Sequence, residues 1–166
     1  MADEEYIRLA ITKAREGISQ GQLPFGAAIV RDGKVISVTH NTIYKDASIL
    51  SHAETNAIIE ACRKTGSLDL AGCTMYASCE PCPMCFAACV LANVSRIVFS
   101  ARLGDGIIPG FSMLVITDSE LKSTGHADIE VTGDILREEG IDLFREWRER
   151  AHIAGMGNSH SDNMGQ

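Results

Sequence analysis

Ile7, Ala10, Ile11, Ala14 and Ile18 recur at helical spacing, which predicts a helix over residues 3–19 ending near Gly21. Two strand-like runs follow, Gly26 to Val30 and Lys34 to His40. Asp32-Gly33 lies between them. That pair suits a tight hairpin, because both central residues need positive φ. The pattern then predicts a helix over His52 to Lys64 closed near Gly66, a strand over Cys73 to Ser78 and a short helix over Pro83 to Ala92. Proline costs nothing at a helix start, where its missing N–H has no partner to lose. A strand over Arg96 to Ala101, a short strand over Ile129 to Thr132 and a last helix over Asp134 to Ala151, broken or bent at Gly140, complete the order. Strands alternating with helices predict an α/β chain in three layers, α/β/α.

Composition narrows the class. Of 166 residues, 45% are apolar and 22% charged, too apolar for a disordered chain. The length suits one domain, here residues 1–154, with the basic-free stretch 155–166 as a flexible C-terminal tail. The net charge is −7, which does not favour a phosphate backbone. The acidic start Met1-Ala2-Asp3-Glu4-Glu5-Tyr6 lacks the order of a signal peptide, and no apolar run reaches spanning length. A cytoplasmic protein away from the membrane is expected.

Six cysteines change the picture, because four of them, Cys79, Cys82, Cys85 and Cys89, crowd together. Cytosolic thiols stay reduced, so a crowd suggests metal or redox chemistry before disulfides. A catalytic zinc takes three protein ligands and keeps one position for water. His52, Cys82 and Cys85 suit that set. The two cysteines are three apart at a helix start and share a face, and the positive helix end favours thiolate. Glu54, two residues after His52, suits a proton carrier between the water and a leaving amine. Pro-Cys-x-x-Cys arises by chance in such a composition on the order of once in a few hundred chains.

Three plainer readings compete. Ser51-x-x-Glu54 is also a capping-box pattern, in which Glu54 only bonds the Ser51 N–H. The run C-x2-C-x2-C-x3-C also matches iron–sulfur ferredoxins, but Val90 follows Cys89 where proline is expected and no second run exists. A redox Cys-x-x-Cys leaves His52 and Glu54 idle.

At these residues the sequence resembles the zinc deaminases of the cytidine/deoxycytidylate deaminase superfamily, whose signature is His-x-Glu followed by Pro-Cys-x-x-Cys. The resemblance runs from about Tyr6 to Trp147. Pro24-Phe25-Gly26-Ala27, the run Ser78 to Cys85 and Phe144-x-x-Trp147-Arg148 look like bacterial guanine deaminases. Ser48-Ile49-Leu50-Ser51 before His52 is closer to fungal cytosine deaminases. The resemblance implies a mixed central sheet, a homodimer, a bound Zn2+, His52, Cys82 and Cys85 as its ligands, and Glu54 as the catalytic proton shuttle. It implies substrate contacts from the Asn41 amide, from Phe25 and Phe111, and from backbone groups of Gly26, Ala27, Glu80 and Cys82. Guanine deaminases carry acidic residues after Gly-Phe in the loop beyond the fourth strand, where this chain has Ser112-Met113.

The expected activity is zinc-dependent hydrolytic deamination of a free nucleobase or related amino-heterocycle, with guanine first and cytosine second. The partners are then a small base and a catalytic water, and nucleic acid is not expected. The alternatives are a tRNA adenosine deaminase and, in another class, a non-catalytic metal-binding or iron–sulfur module. The tRNA reading needs a basic surface, yet in the last helix Arg137, Arg145, Arg148 and Arg150 interleave with Glu138, Glu139, Glu146 and Glu149.

Overall fold

The computed structural model describes residues 2–108 and 114–153. The expected tail 155–166 and Phe111 lie outside the described residues. Helix α1 (Ala2–Ser19) leads into the hairpin of β1 (Gly26–Arg31) and β2 (Lys34–His40). Asp32 and Gly33 both take positive φ there, 50° and 72°. Then come α2 (Ile43–Asp46), α3 (Ala53–Thr65), β3 (Cys73–Cys79), α4 (Pro83–Leu91) and β4 (Arg96–Ala101). A 3₁₀ turn (Leu103–Gly106), α5 (Asp118–Gly125), β5 (Glu130–Thr132) and α6 (Arg137–Ile153) follow.

The strands form one mixed sheet in the order β2-β1-β3-β4-β5. β1 is antiparallel to both β2 and β3, whereas β3, β4 and β5 run parallel. Alternation along the strands explains the two cores, because successive side chains face opposite sides. Ala27 and Ile29 of β1, Met75 of β3 and Ile97 of β4 pack with Ala53, Ala57 and Ala61 of α3 and with Phe86 and Cys89 of α4. Ala28, Val30, Tyr76 and Val98 face the other way, onto Ile7, Ile11 and Ile18 of α1 and Leu143 of α6. The expected three-layer α/β/α sandwich is therefore the observed one.

Three short elements, α2, the 3₁₀ turn and α5, go beyond the sequence expectation. A break at Gly140 does not occur, since α6 runs through it. A Cβ at Gly140 would lie 2.5 Å from Ser100 Oγ and 2.8 Å from the Ala101 nitrogen. Glycine there lets α6 lie close on β4, which is a packing role.

Candidate active site

His52 and Cys82 stand at the same kind of place, the cap position before the first residue of a helix. His52 precedes α3 with φ −73° and ψ 160°, and Cys82 precedes α4 with φ −69° and ψ 165°. Neither makes the ordinary capping hydrogen bond that Ser, Thr, Asp or Asn makes at this position. Both turn instead toward each other. His52 Nδ1 lies 3.7 Å from Cys82 Sγ and 3.5 Å from Cys85 Sγ. A tetrahedral zinc with its usual bonds to nitrogen and sulfur holds such atoms roughly 3.6 Å apart. The three ligand atoms lie within 4.8 Å of one another, and this is the one group of its kind among the described residues. The set fits zinc in size and in donor chemistry.

The capping-box and iron–sulfur readings do not match this geometry. The Ser51 N–H donates to the Ser48 carbonyl, not to Glu54. Cys79 Sγ donates to the Arg102 carbonyl at 3.5 Å, and Cys89 is wholly buried in the core under α3 and α4. The four cysteines therefore do not surround one point.

The electrostatics divide the two thiols. The hydrogen bond with Cys85, opposed by burial and aided by His52, brings Cys82 down to about 4. The same Cys82 contact, with burial, pushes Cys85 well above an ordinary thiol. Burial alone lowers His52, but its bond to Cys82 and the charges of Glu54 and Cys82 outweigh that and raise it. A metal binds the thiolate and neutral imidazole forms, so its arrival releases protons here.

These groups open onto a cavity of about 240 Å³. Its polar lining is Asn41, His52, Glu54, Glu80 and Cys82. Its walls are apolar: Leu23 and Phe25 before β1, Ile49 before α3, Met84 of α4, and Leu103, Ile108 and Leu114 beyond β4. No Lys or Arg lines it among the described residues. Glu54 is 7% exposed in the first turn of α3, and burial pushes its carboxyl up.

Asn41 is 1% exposed and anchored on three sides. Its N–H donates to the Phe25 carbonyl, its carbonyl lies 2.7 Å from His40 Nδ1, and its Oδ1 accepts the Ile43 N–H. Its Nδ2 has no partner among the described residues. Phe25 meets Phe144 edge-on with ring centroids 5.8 Å apart. Gly26 and Ala27 do not line the cavity. The Gly26 N–H donates to Ser78 Oγ, and a Cβ at Gly26 would lie 2.1 Å from the Ala10 carbonyl oxygen, so this glycine serves the approach of α1 to β1. Ala27 is a core residue beneath α3.

Sequence reasoning missed the apolar wall and one carboxyl. Asp118, at the start of α5, is fully buried, and neither side-chain oxygen has a partner among the described residues. Burial first, then the charges of Glu80, Glu54 and Cys82, push it up to about 8. An acid at a helix start is ordinary in sequence, so nothing local flagged it.

Comparison with known proteins agrees with the chemistry of this site. The cytidine and deoxycytidylate deaminase zinc-binding region matches residues 1–101. A tRNA-specific adenosine deaminase of Bacillus subtilis (strain 168) is 34% identical over 156 residues, which span 92% of this chain and 94% of that protein. A guanine deaminase of the same organism is 34% identical over 153 residues, spanning 92% and 97%. The structure of a guanine deaminase from Nitrosomonas europaea superposes with a TM-score of 0.76 at 26% identity, covering 88% of this chain and 84% of that one.

Proposed function

The chain belongs to the cytidine and deoxycytidylate deaminase family, whose matched region binds zinc, and we propose that it deaminates a free nucleobase or similar amino-heterocycle, guanine first and cytosine second. The observation that carries this reading is the cavity itself: apolar walls, lined also by His52 and Cys82 of the metal-competent trio and by Asn41 with its unpartnered amide nitrogen. A flat, uncharged ring is suited to such walls, and an amide donor reads a carbonyl oxygen or ring nitrogen on its edge.

In this reading His52, Cys82 and Cys85 hold the metal. Zinc supplies Lewis acidity that lets a water lose its proton near neutral pH. Glu54 takes that proton as the water's oxygen adds to the amine-bearing ring carbon. Glu54 then passes that proton to the adjacent ring nitrogen, takes the second proton from the added hydroxyl and gives it to the amine, so that the carbon–nitrogen bond breaks and amine plus water become carbonyl plus ammonia. Asn41 holds the ring edge through Nδ2, and Phe25 borders its face. The apolar walls keep bulk water from the reacting carbon.

The second reading, a tRNA adenosine deaminase, is favoured by the Bacillus subtilis relative of that name. Against it stands the pairing of the arginines. Arg8 and Arg15 of α1 reach across to Glu139 and Glu146 of α6 at 3.0 and 2.9 Å. Arg137 pairs with Asp105, Arg102 with Asp134, and Arg145 with Asp142. Three charges of α6 (Arg137, Glu139 and Glu146) are thus held by other elements and Arg145 by its own helix. These arginines are engaged by acids, while among the described residues Arg148 meets only the Ile107 carbonyl. Ammonia release screened over bases, nucleosides and triazines, beside inosine formation in tRNA, tests the choice. Inosine formed in tRNA at a rate matching any free-base turnover reverses the order.

A further inference from the structure

Glu80 is 5% exposed and sits in the turn between β3 and α4, two residues before Cys82. Its main-chain N–H donates to the Ala101 carbonyl at 2.8 Å. Its side chain takes two further donors. Oε2 accepts the Leu103 N–H at 3.1 Å, and Oε1 accepts the Asp118 N–H at 3.0 Å.

Those two donors share an origin. Leu103 opens the 3₁₀ turn and Asp118 opens α5, so both N–H groups lack a partner within their own element. Local caps exist at both places but miss them. Asp105 accepts the Arg102 N–H before the turn, and Thr117 and Glu120 bond each other's N–H at the start of α5. One buried donor is left over at each element, and one carboxylate satisfies both. The positive end of each element adds to the fit.

We propose that the Glu80 carboxylate is a positioning group that pins the 3₁₀ turn and α5 to the cysteine turn, and so sets the cavity wall against which the heterocycle lies. Leu103, whose N–H is pinned, is itself part of that wall. Only a carboxylate serves, because it presents two acceptor oxygens and no donor. Glutamine has one acceptor oxygen and turns its NH2 toward the other N–H. The Asp118 side chain takes no part, since only its main chain is held. The link to substrate rests on reading the cavity as the substrate site; the pin itself does not.

The test is Glu80→Gln, with Glu80→Asp as a second variant whose shorter side chain keeps the charge but cannot span both donors. Zinc content, amide hydrogen exchange and steady-state kinetics are measured on the full chain. Exchange at the Leu103 and Asp118 amides rises at least about tenfold in both variants while zinc content stays at the wild-type level. KM for the amino-heterocycle that wild type turns over rises roughly tenfold, with kcat changing less. A general folding defect lowers the active fraction, and thus apparent kcat, at constant KM. Asp118→Asn keeps both amides protected. Unchanged exchange in both Glu80 variants overturns the pin whatever the substrate is. Raised exchange with an unchanged KM overturns its control of the cavity. Where no heterocycle is turned over at all, the functional reading falls and the exchange measurement still decides the pin.

Discussion

The Ile43 N–H donates to Asn41 Oδ1 at 3.2 Å, and this single bond decides which end of the Asn41 amide is free. The oxygen is used, so the unpartnered Nδ2 is what the side chain can offer a ligand. Recognition through Asn41 therefore selects an acceptor on the substrate edge. Asn41→Ala is expected to lower kcat/KM about ten- to a hundredfold, in line with about 1–3 kcal/mol for a well-paired buried partner. Asn41→Asp keeps an acceptor for Ile43 and replaces the NH2 donor by a second carboxyl oxygen, in a cavity that Glu54 and Glu80 also line. It should lower kcat/KM at least as far as the alanine variant does, because the donor is lost in both. Wild-type kinetics in Asn41→Asp would show that Nδ2 touches nothing in the reaction.

Metal content is the next expectation. About one zinc per chain should be found by atomic absorption. Cys82→Ala or Cys85→Ala should lose metal and activity together. Cys79→Ala and Cys89→Ala should keep both, because these thiols lie in the packing and not in the trio. Iron with acid-labile sulfide, lost on Cys79→Ala, would refute the zinc assignment.

Glu54 should separate from metal binding. As a proton carrier buried beside the trio, it can be replaced by glutamine at constant shape. Glu54→Gln is expected to hold wild-type zinc while turnover falls by about 10²–10⁴. Retention of most activity would leave Glu54 a helix residue and nothing more.

Asp118 should make stability depend on pH. Its folded-state value, about 8, lies above its ordinary 3.8, so between these two the folded chain holds a proton that the unfolded chain has lost. For a carboxyl raised in this way, stability falls as pH rises from about 4 to about 8. Asp118→Asn removes that dependence and breaks no side-chain bond, since neither oxygen has a partner among the described residues. In the zinc-stripped protein it should stabilise by on the order of 4 kcal/mol at pH 7, with the gain vanishing near pH 4. Urea unfolding from pH 4 to 8.5 reads this. A gain that does not change with pH argues that Asp118 is ionised in the folded protein.

RNA binding supplies the last expectation. With a net charge of −7 and arginines engaged by acids, no tight tRNA binding is expected at about 0.15 M salt. Fluorescence anisotropy with labelled tRNA measures it directly. Submicromolar binding with a steep salt dependence would overturn this expectation and favour the tRNA reading.

Much of this protein was legible in the chain because the signals are local. The spacing of Ile7, Ile11, Ala14 and Ile18 sets which face of α1 is buried, whatever it packs on. Asp32-Gly33 sets the hairpin because two adjacent residues must adopt positive φ. His52, Cys82 and Cys85 stood out because they sit at helix starts, where a side chain can leave its own helix, and because their types suit zinc.

Other features belong to contacts between distant segments, and no local pattern carries them. Gly140 reads as a helix breaker until Ser100 is seen against it. Gly26 shows no reason in sequence to be glycine until the Ala10 carbonyl is seen to fill the space where a side chain would be. The sequence by itself determined the alternation of strands and helices, the hairpin and the metal-competent residue set, since each depends on neighbours within a turn or a strand. Only the tertiary structure decided which amide end of Asn41 is free, what the Glu80 carboxylate holds and which apolar side chains wall the cavity. Those are set by where N–H groups and side chains from separate elements come to rest, and burial obliges each N–H to find an acceptor from whatever segment lies beside it.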